Sequence, residues 1–97
     1  MKKLPLHLEA YKRTPEFTQS TIPQGLLNSH STKAGTWGKI VILKGTLIYT
    51  ILEPTFEVVL LTPDNCGVVE PQMLHEVKAE EDVSFYVEFY REPSATA

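Results

Sequence analysis

Cysteine is nearly absent. The 97-residue chain holds Cys66 alone, so it has no partner for an intramolecular disulfide, whereas small secreted domains are usually stapled by several. Positive charge is also short. Nine Lys and Arg against twelve Asp and Glu give a formal charge of −3, and without a basic stripe to meet phosphates the chain is not a nucleic-acid binder. No stretch approaches the roughly 20 apolar residues that a membrane span requires. The longest apolar runs are cut at Lys44, Gly45, Glu53 and Pro54, and no membrane partner is expected. The opening Met1-Lys2-Lys3 is basic, but Glu9, Lys12 and Arg13 interrupt any apolar segment of signal-peptide length. The expected location is therefore the cytoplasm. No fixed-period repeat or low-complexity block is found, which excludes solenoids and propellers.

Helix-length segments are missing as well. Seven prolines and five glycines divide the chain into pieces too short for a stable helix and suited to strands. What fills those pieces is β-branched and aromatic. Strands are expected near 6–11, 25–31, 37–43, 46–52, 56–61, 67–70, 75–79 and 83–90. The last is the clearest, with Val83, Phe85, Val87 and Phe89 on one face and Ser84, Tyr86, Glu88 and Tyr90 on the other. Lys44-Gly45 reads as the turn of a tight hairpin, and Glu53-Pro54-Thr55 as the turn of the next. The sum is one all-β domain over 1–97, a sandwich or barrel of which the jelly roll is one form. Residues 93–97 are expected to form a frayed tail.

Few residues offer chemistry. His30 falls late in the second predicted strand and His75 at the start of the seventh. Ligands in a β-barrel come from separate strands whose inner faces converge, and imidazole suits zinc, iron, copper or nickel. Glu70 and Gln72, just before His75, could add an oxygen ligand. Two histidines without a His-x-His pair equally match a pair of solvated strand-end residues, and spacing alone favours that plainer reading. In the segment from His30 to Lys39, Gly35 and Gly38 flank Trp37 closely enough to hold it at a pocket mouth or under the core, and Lys33 and Lys39 could face an anion, although a single Trp in a small β domain is most often core and lone lysines are usually solvated. Cys66 has no basic neighbour in sequence and reads as a small buried hydrophobe. Ser29 and Ser31 beside His30 lack the glycine-flanked elbow of a hydrolase nucleophile. Glu80-Glu81-Asp82 reads as a solvated turn.

Three segments in this order, His30-Ser31-Thr32-Lys33-Ala34-Gly35-Thr36-Trp37-Gly38-Lys39, Leu43-Lys44-Gly45 and Val69-Glu70-Pro71-Gln72-Met73-Leu74-His75, resemble a known family. It is the small cupin-like domain found at the N-terminus of some tellurite-resistance methyltransferases and as a free-standing bacterial protein. The resemblance runs from Tyr11 to Tyr90. It implies a double-stranded β-helix, the cupin jelly-roll barrel, whose pocket commonly holds a divalent metal: zinc, iron or nickel. His30 matches the first histidine of the first cupin motif, Thr32 stands where a second would be, and no glutamate precedes Gly45. Pro71 and His75 keep the second motif, and relatives can carry a carboxylate at the position of Gln72. The implied metal set is His30 and His75, with Glu70 or Gln72 assisting, and the implied role is a metal- or small-ligand-binding domain in tellurite or oxyanion stress. A metalloenzyme on the same pocket and a non-catalytic interaction module are the alternatives. No Gly-rich βα unit for a methyl-donor cofactor is present. A homodimer is expected, because pairing removes exposed strand edges.

Overall fold

Alternation of buried and half-buried side chains along strands in the middle and at the end of the chain builds two sheets that face each other. The computed structural model describes residues 1–80 and 82–93. Its strands are β1 (Glu9–Arg13), β2 (Phe17–Thr18), β3 (His30–Ser31), β4 (Trp37–Lys44), β5 (Leu47–Glu53), β6 (Glu57–Leu61), β7 (Gly67–Val69), β8 (Leu74–Ala79) and β9 (Ser84–Arg91), with one helical turn, α1 (Gln24–Leu27). Sheet A runs in the order β1-β9-β4-β7, with β2 also on β9; sheet B runs β3-β8-β5-β6. Every pairing is antiparallel. Among the described residues no helix is long and apolar enough to cross a membrane.

The core lies between the sheets. Ile40, Ile42, Phe85 and Val87 of sheet A meet Leu47, Tyr49, Ile51 and Val77 of sheet B in one cluster. Val83 and Phe85 are buried, Val87 nearly so, and Phe89 half-buried, so the alternation expected for the last strand is present. The Glu53-Pro54-Thr55 hairpin is also present, joining β5 to β6 with Ile51 opposite Glu57.

Three local expectations are corrected. The segment 25–31 is not a strand throughout: α1 occupies its first half and only His30–Ser31 is extended. The first strand is Glu9–Arg13 rather than 6–11, and the short β2 was not anticipated. Lys44-Gly45 is not a hairpin turn. β4 belongs to sheet A and β5 to sheet B, so the chain turns a corner between layers there. The cause is the register: β4 bonds β7 and β9, and β5 bonds β6 and β8. Of the expected tail, only Pro93 lies among the described residues, and Glu81 of the acidic turn lies outside them. Glu80 and Asp82 are exposed, and Asp82 pairs with Lys44 at 2.7 Å.

Gly45 makes that corner with φ at +79°, and a Cβ on it would overlap the Asp82 carbonyl oxygen. Gly35 has a similar φ of +78° in the turn closed by Thr36 N–H donating to Lys33 O, yet its missing Cβ faces open space. The two glycines separate backbone strain from steric overlap. Gly35→Ala should cost about 1 kcal/mol and Gly45→Ala about 3 kcal/mol, because only the second adds a collision to the left-handed penalty. Urea denaturation of both variants checks this; equal losses would mean the Gly45–Asp82 contact is unimportant.

Candidate functional site

The local order begins at the turn before β8. Gln72 adopts φ of +59°, its backbone N–H donates to Thr32 O at 3.0 Å, and Met73 N–H closes the turn on Glu70 O at 3.3 Å. This ties the exit of β3 to the entry of β8, so that His30 stands directly opposite His75 in the antiparallel register. Residues directly opposite share a face. The two imidazoles lie with centroids 4.0 Å apart at 55°.

Both rings are fixed by backbone carbonyls. His30 Nδ1–H donates to Asn28 O at 3.2 Å and His75 Nδ1–H to Met73 O at 2.9 Å. A carbonyl can only accept, so a proton sits on each Nδ1. His75 is 5% exposed. Burial pushes its pKa down to about 4, against the opposing pull of the Met73 carbonyl, and neighbouring His30 lowers it further. Beneath it lies Tyr49, fully buried, with its ring edge-on at 5.8 Å. The Tyr49 hydroxyl donates to Val68 O at 3.0 Å and contacts Met73 Sδ at 3.2 Å. Burial, helped by the Glu70 and Glu57 carboxylates, raises the phenol pKa well above its ordinary value.

The histidines open onto a cavity of about 520 Å³ between the sheets. Its two sides differ in character. His30, Thr32, Lys33, Thr36 and His75 form the polar side, while Ile40, Val69, Phe85, Val87 and Phe89 of sheet A form an apolar wall. Lys12 stands opposite Phe89 in the β1–β9 register and so shares its inner face at the mouth. Among the described residues no Asp or Glu lines the cavity. Thr32 Oγ1 is buried with no hydrogen-bond partner among the described residues.

Of the residues singled out in the sequence, His30, His75 and Lys33 line this cavity together. Glu70 and Gln72 do not. Glu70 reaches Lys2 Nζ at 3.6 Å, and Gln72 is exposed, its part in the turn being played by its backbone. Trp37 and Lys39 alternate with the inward Gly38 and Ile40 and therefore stand on the outer face of β4. Lys39 there joins half-buried Cys66 in a second hollow under residues 1–8. The residues not singled out are Tyr49, Lys12 and the apolar wall. Tyr49 was discoverable, since it alternates with Leu47 and Ile51 on the buried face of β5.

As a metal site the donor set is two imidazoles whose Nδ1 atoms are already committed to carbonyl partners, the usual outer-shell arrangement for ligating histidines. Among the described residues no group of three His, Cys, Asp or Glu side chains comes together. The chain thus fits a divalent ion through two nitrogens, with the other positions left to water or a bound molecule.

What the fold and this site define is a small two-sheet β domain with an internal ligand-sized cavity. The chain belongs to the TehB-like domain family, whose sequence model matches residues 12–87. It is 38% identical over 88 residues to the probable S-adenosyl-L-methionine-dependent methyltransferase TehB of Haemophilus influenzae. The match takes in 86% of this chain and 31% of that relative, so the chain spans about a third of its length. The crystal structure of Haemophilus influenzae TehB superposes with a TM-score of 0.82 at 35% identity, over 90% of this chain and 32% of that one. A crystal structure of a protein from Escherichia coli strain K12 superposes with a TM-score of 0.86 at 21% identity, over 97% of this chain and 100% of that one. At that identity the likeness concerns the fold.

The buried neutral His75 has a consequence for stability. Its folded pKa of about 4 lies below the ordinary 6.5, so the unfolded chain binds the proton first as pH falls. The contribution is complete above pH 6.5 and drains away toward pH 4. Between pH 7 and pH 5 the metal-free protein should lose about 2 kcal/mol through this group, a slope that His75→Phe should remove. Urea midpoints at the two pH values, in chelator, measure it; an unchanged slope in the variant would show that His75 titrates normally.

Proposed function

We propose that this chain is a cupin-type jelly-roll domain that binds one divalent metal ion, zinc, iron or nickel, through His30 Nε2 and His75 Nε2, and that it serves in cytoplasmic resistance to tellurite or related oxyanion stress. The observation that carries the metal reading is the opposed His30–His75 pair, each Nδ1 bonded to a carbonyl and both residues lining one cavity. The two facing antiparallel sheets support the cupin topology, and membership of the TehB-like family supports the stress role. The bound ion supplies Lewis acidity and coordination positions for a small molecule. The chain's own residues orient the two imidazoles, keep His75 neutral, and line the space a ligand would enter. The methyl transfer named for the Haemophilus influenzae relatives is not carried over, because the chain spans 31% of their length.

Elemental analysis of tag-free protein tests the metal reading. We expect about one ion per chain, and at least a tenfold loss of affinity in His30→Ala and in His75→Ala, since each removes one of two protein ligands. Equal metal content in wild type and both variants would overturn it.

The proposed partner is a second copy of the chain, joined at β6. Three of the four sheet edges are protected: β3 and β7 are two and three residues long, and β1 carries Glu9, Lys12 and Arg13 with a bulge. The edge strand β6 has neither device. Phe56 (67%), Val58 (57%) and Leu60 (55%) lie exposed along it. Light scattering should give twice the 10.9 kDa chain mass, and Val58→Lys, which touches no core residue, should return it to one. A wild-type protein that stays monomeric at all concentrations rejects the dimer.

A further inference from the structure

We propose that the cavity binds an organic carboxylate with an apolar body, its charged end held at the Lys12 and Lys33 mouth and its hydrocarbon laid against the wall of sheet A. This names the ligand class of the site described above and rests on that cavity being the working site.

Size is the first reason. At about 520 Å³ the cavity falls among small-molecule sites, which run from roughly 300 to 1,000 Å³. A water occupies about 30 Å³ in the liquid, so an inorganic oxyanion, or an ion with a few waters, would leave most of the space empty. Apolar wall left facing water is unfavourable, and a hydrocarbon body covers it.

Charge is the second. Lys12 comes from sheet A and Lys33 from the loop leaving sheet B, so both layers contribute a cation to the mouth. Among the described residues neither lysine has a carboxylate within 4.0 Å, although Lys2, Lys44, Arg13 and Arg91 do. With no acidic residue among the described lining residues, the charges at the mouth favour an anion.

The third reason is an unmet hydrogen bond. Thr32 lines the same polar side, and its Oγ1 is buried and unpartnered among the described residues. A buried hydroxyl without a partner is costly, and a small turn of this side chain toward the cavity would let a carboxylate oxygen beside Lys33 accept from it. Cations at the mouth, a hydroxyl beside one of them and a hydrocarbon wall opposite form an amphipathic sequence of contacts, and the complementary ligand is amphipathic in the same order.

Isothermal titration calorimetry on the full chain tests this with acetate, butanoate, hexanoate, octanoate, octanol and tellurite, on chelator-stripped and metal-loaded protein of measured metal content. Affinity should rise about fourfold for each methylene buried. Octanoate should bind at least fivefold more tightly than octanol, and Lys33→Met, which keeps an unbranched apolar stem, should remove most of that difference while leaving octanol unchanged. Binding without dependence on chain length, octanol matching octanoate, or tellurite binding as tightly as octanoate would each overturn the proposal. Metal held by the histidines with no octanoate binding sinks this inference and leaves the metal reading intact. Octanoate binding to protein that takes up no metal does the reverse.

Discussion

One buried phenol organises the site. Tyr49 sits at the centre of sheet B with no exposed surface, and its hydroxyl must find partners there because an unsatisfied buried hydroxyl is expensive. It finds the Val68 carbonyl, on a strand of the opposite sheet, and the Met73 sulfur. One side chain therefore pins the layers together and holds the residue whose carbonyl fixes the His75 ring. The His75 ring in turn rests edge-on against Tyr49. Core packing and ring orientation are the same set of contacts.

That arrangement explains how a chain with few reactive groups still presents a defined chemical surface. The strands β4, β7 and β9 of sheet A offer hydrocarbon to the cavity, and the β3–β8 edge of sheet B with the loop after β3 offers nitrogen, hydroxyl and ammonium groups. Because β3 is only two residues long, it contributes polar side chains without needing a long partner face. The loop that follows it turns at Gly35, which places Lys33 and Thr36 on the same lining. The hydrocarbon wall thus comes mainly from β4, β7 and β9, while Lys12 on the outer strand β1 adds a cation from the same sheet.

Much of this was legible in the amino-acid order. The period-two pattern of Phe85, Val87 and Phe89 specified an inner face, and the resemblance of the His30 to Lys39 and Val69 to His75 segments brought the two histidines together before any coordinates did. What local pattern could not supply was which sheet a strand joins. Lys44-Gly45 reads as a hairpin because a glycine between two apolar runs is the usual hairpin signal, and only the pairing of β4 with β9 and β5 with β8 makes it a corner. Glu70 and Gln72 sit near His75 in the chain but are carried away from the cavity by the left-handed turn at Gln72. Lys12, 77 positions before Phe89 in the chain, enters the site through its register with that residue, a non-local relation that no spacing rule reveals.

The corner at Gly45 belongs to a wider habit of this chain. From β3 onward, every strand-to-strand connection except β5 to β6 passes from one sheet to the other. Neither layer is contiguous in the chain, so neither can be completed while the other is unformed. The entropy of closing several long loops must be met before most of the pairing rewards it, which is the condition for slow, all-or-none folding. A nascent chain would thus gain its two-layered structure only when Ser84 to Arg91, the strand that bonds β1, β2 and β4, has been made. Synthesis of the last strand is then the event that commits the whole domain.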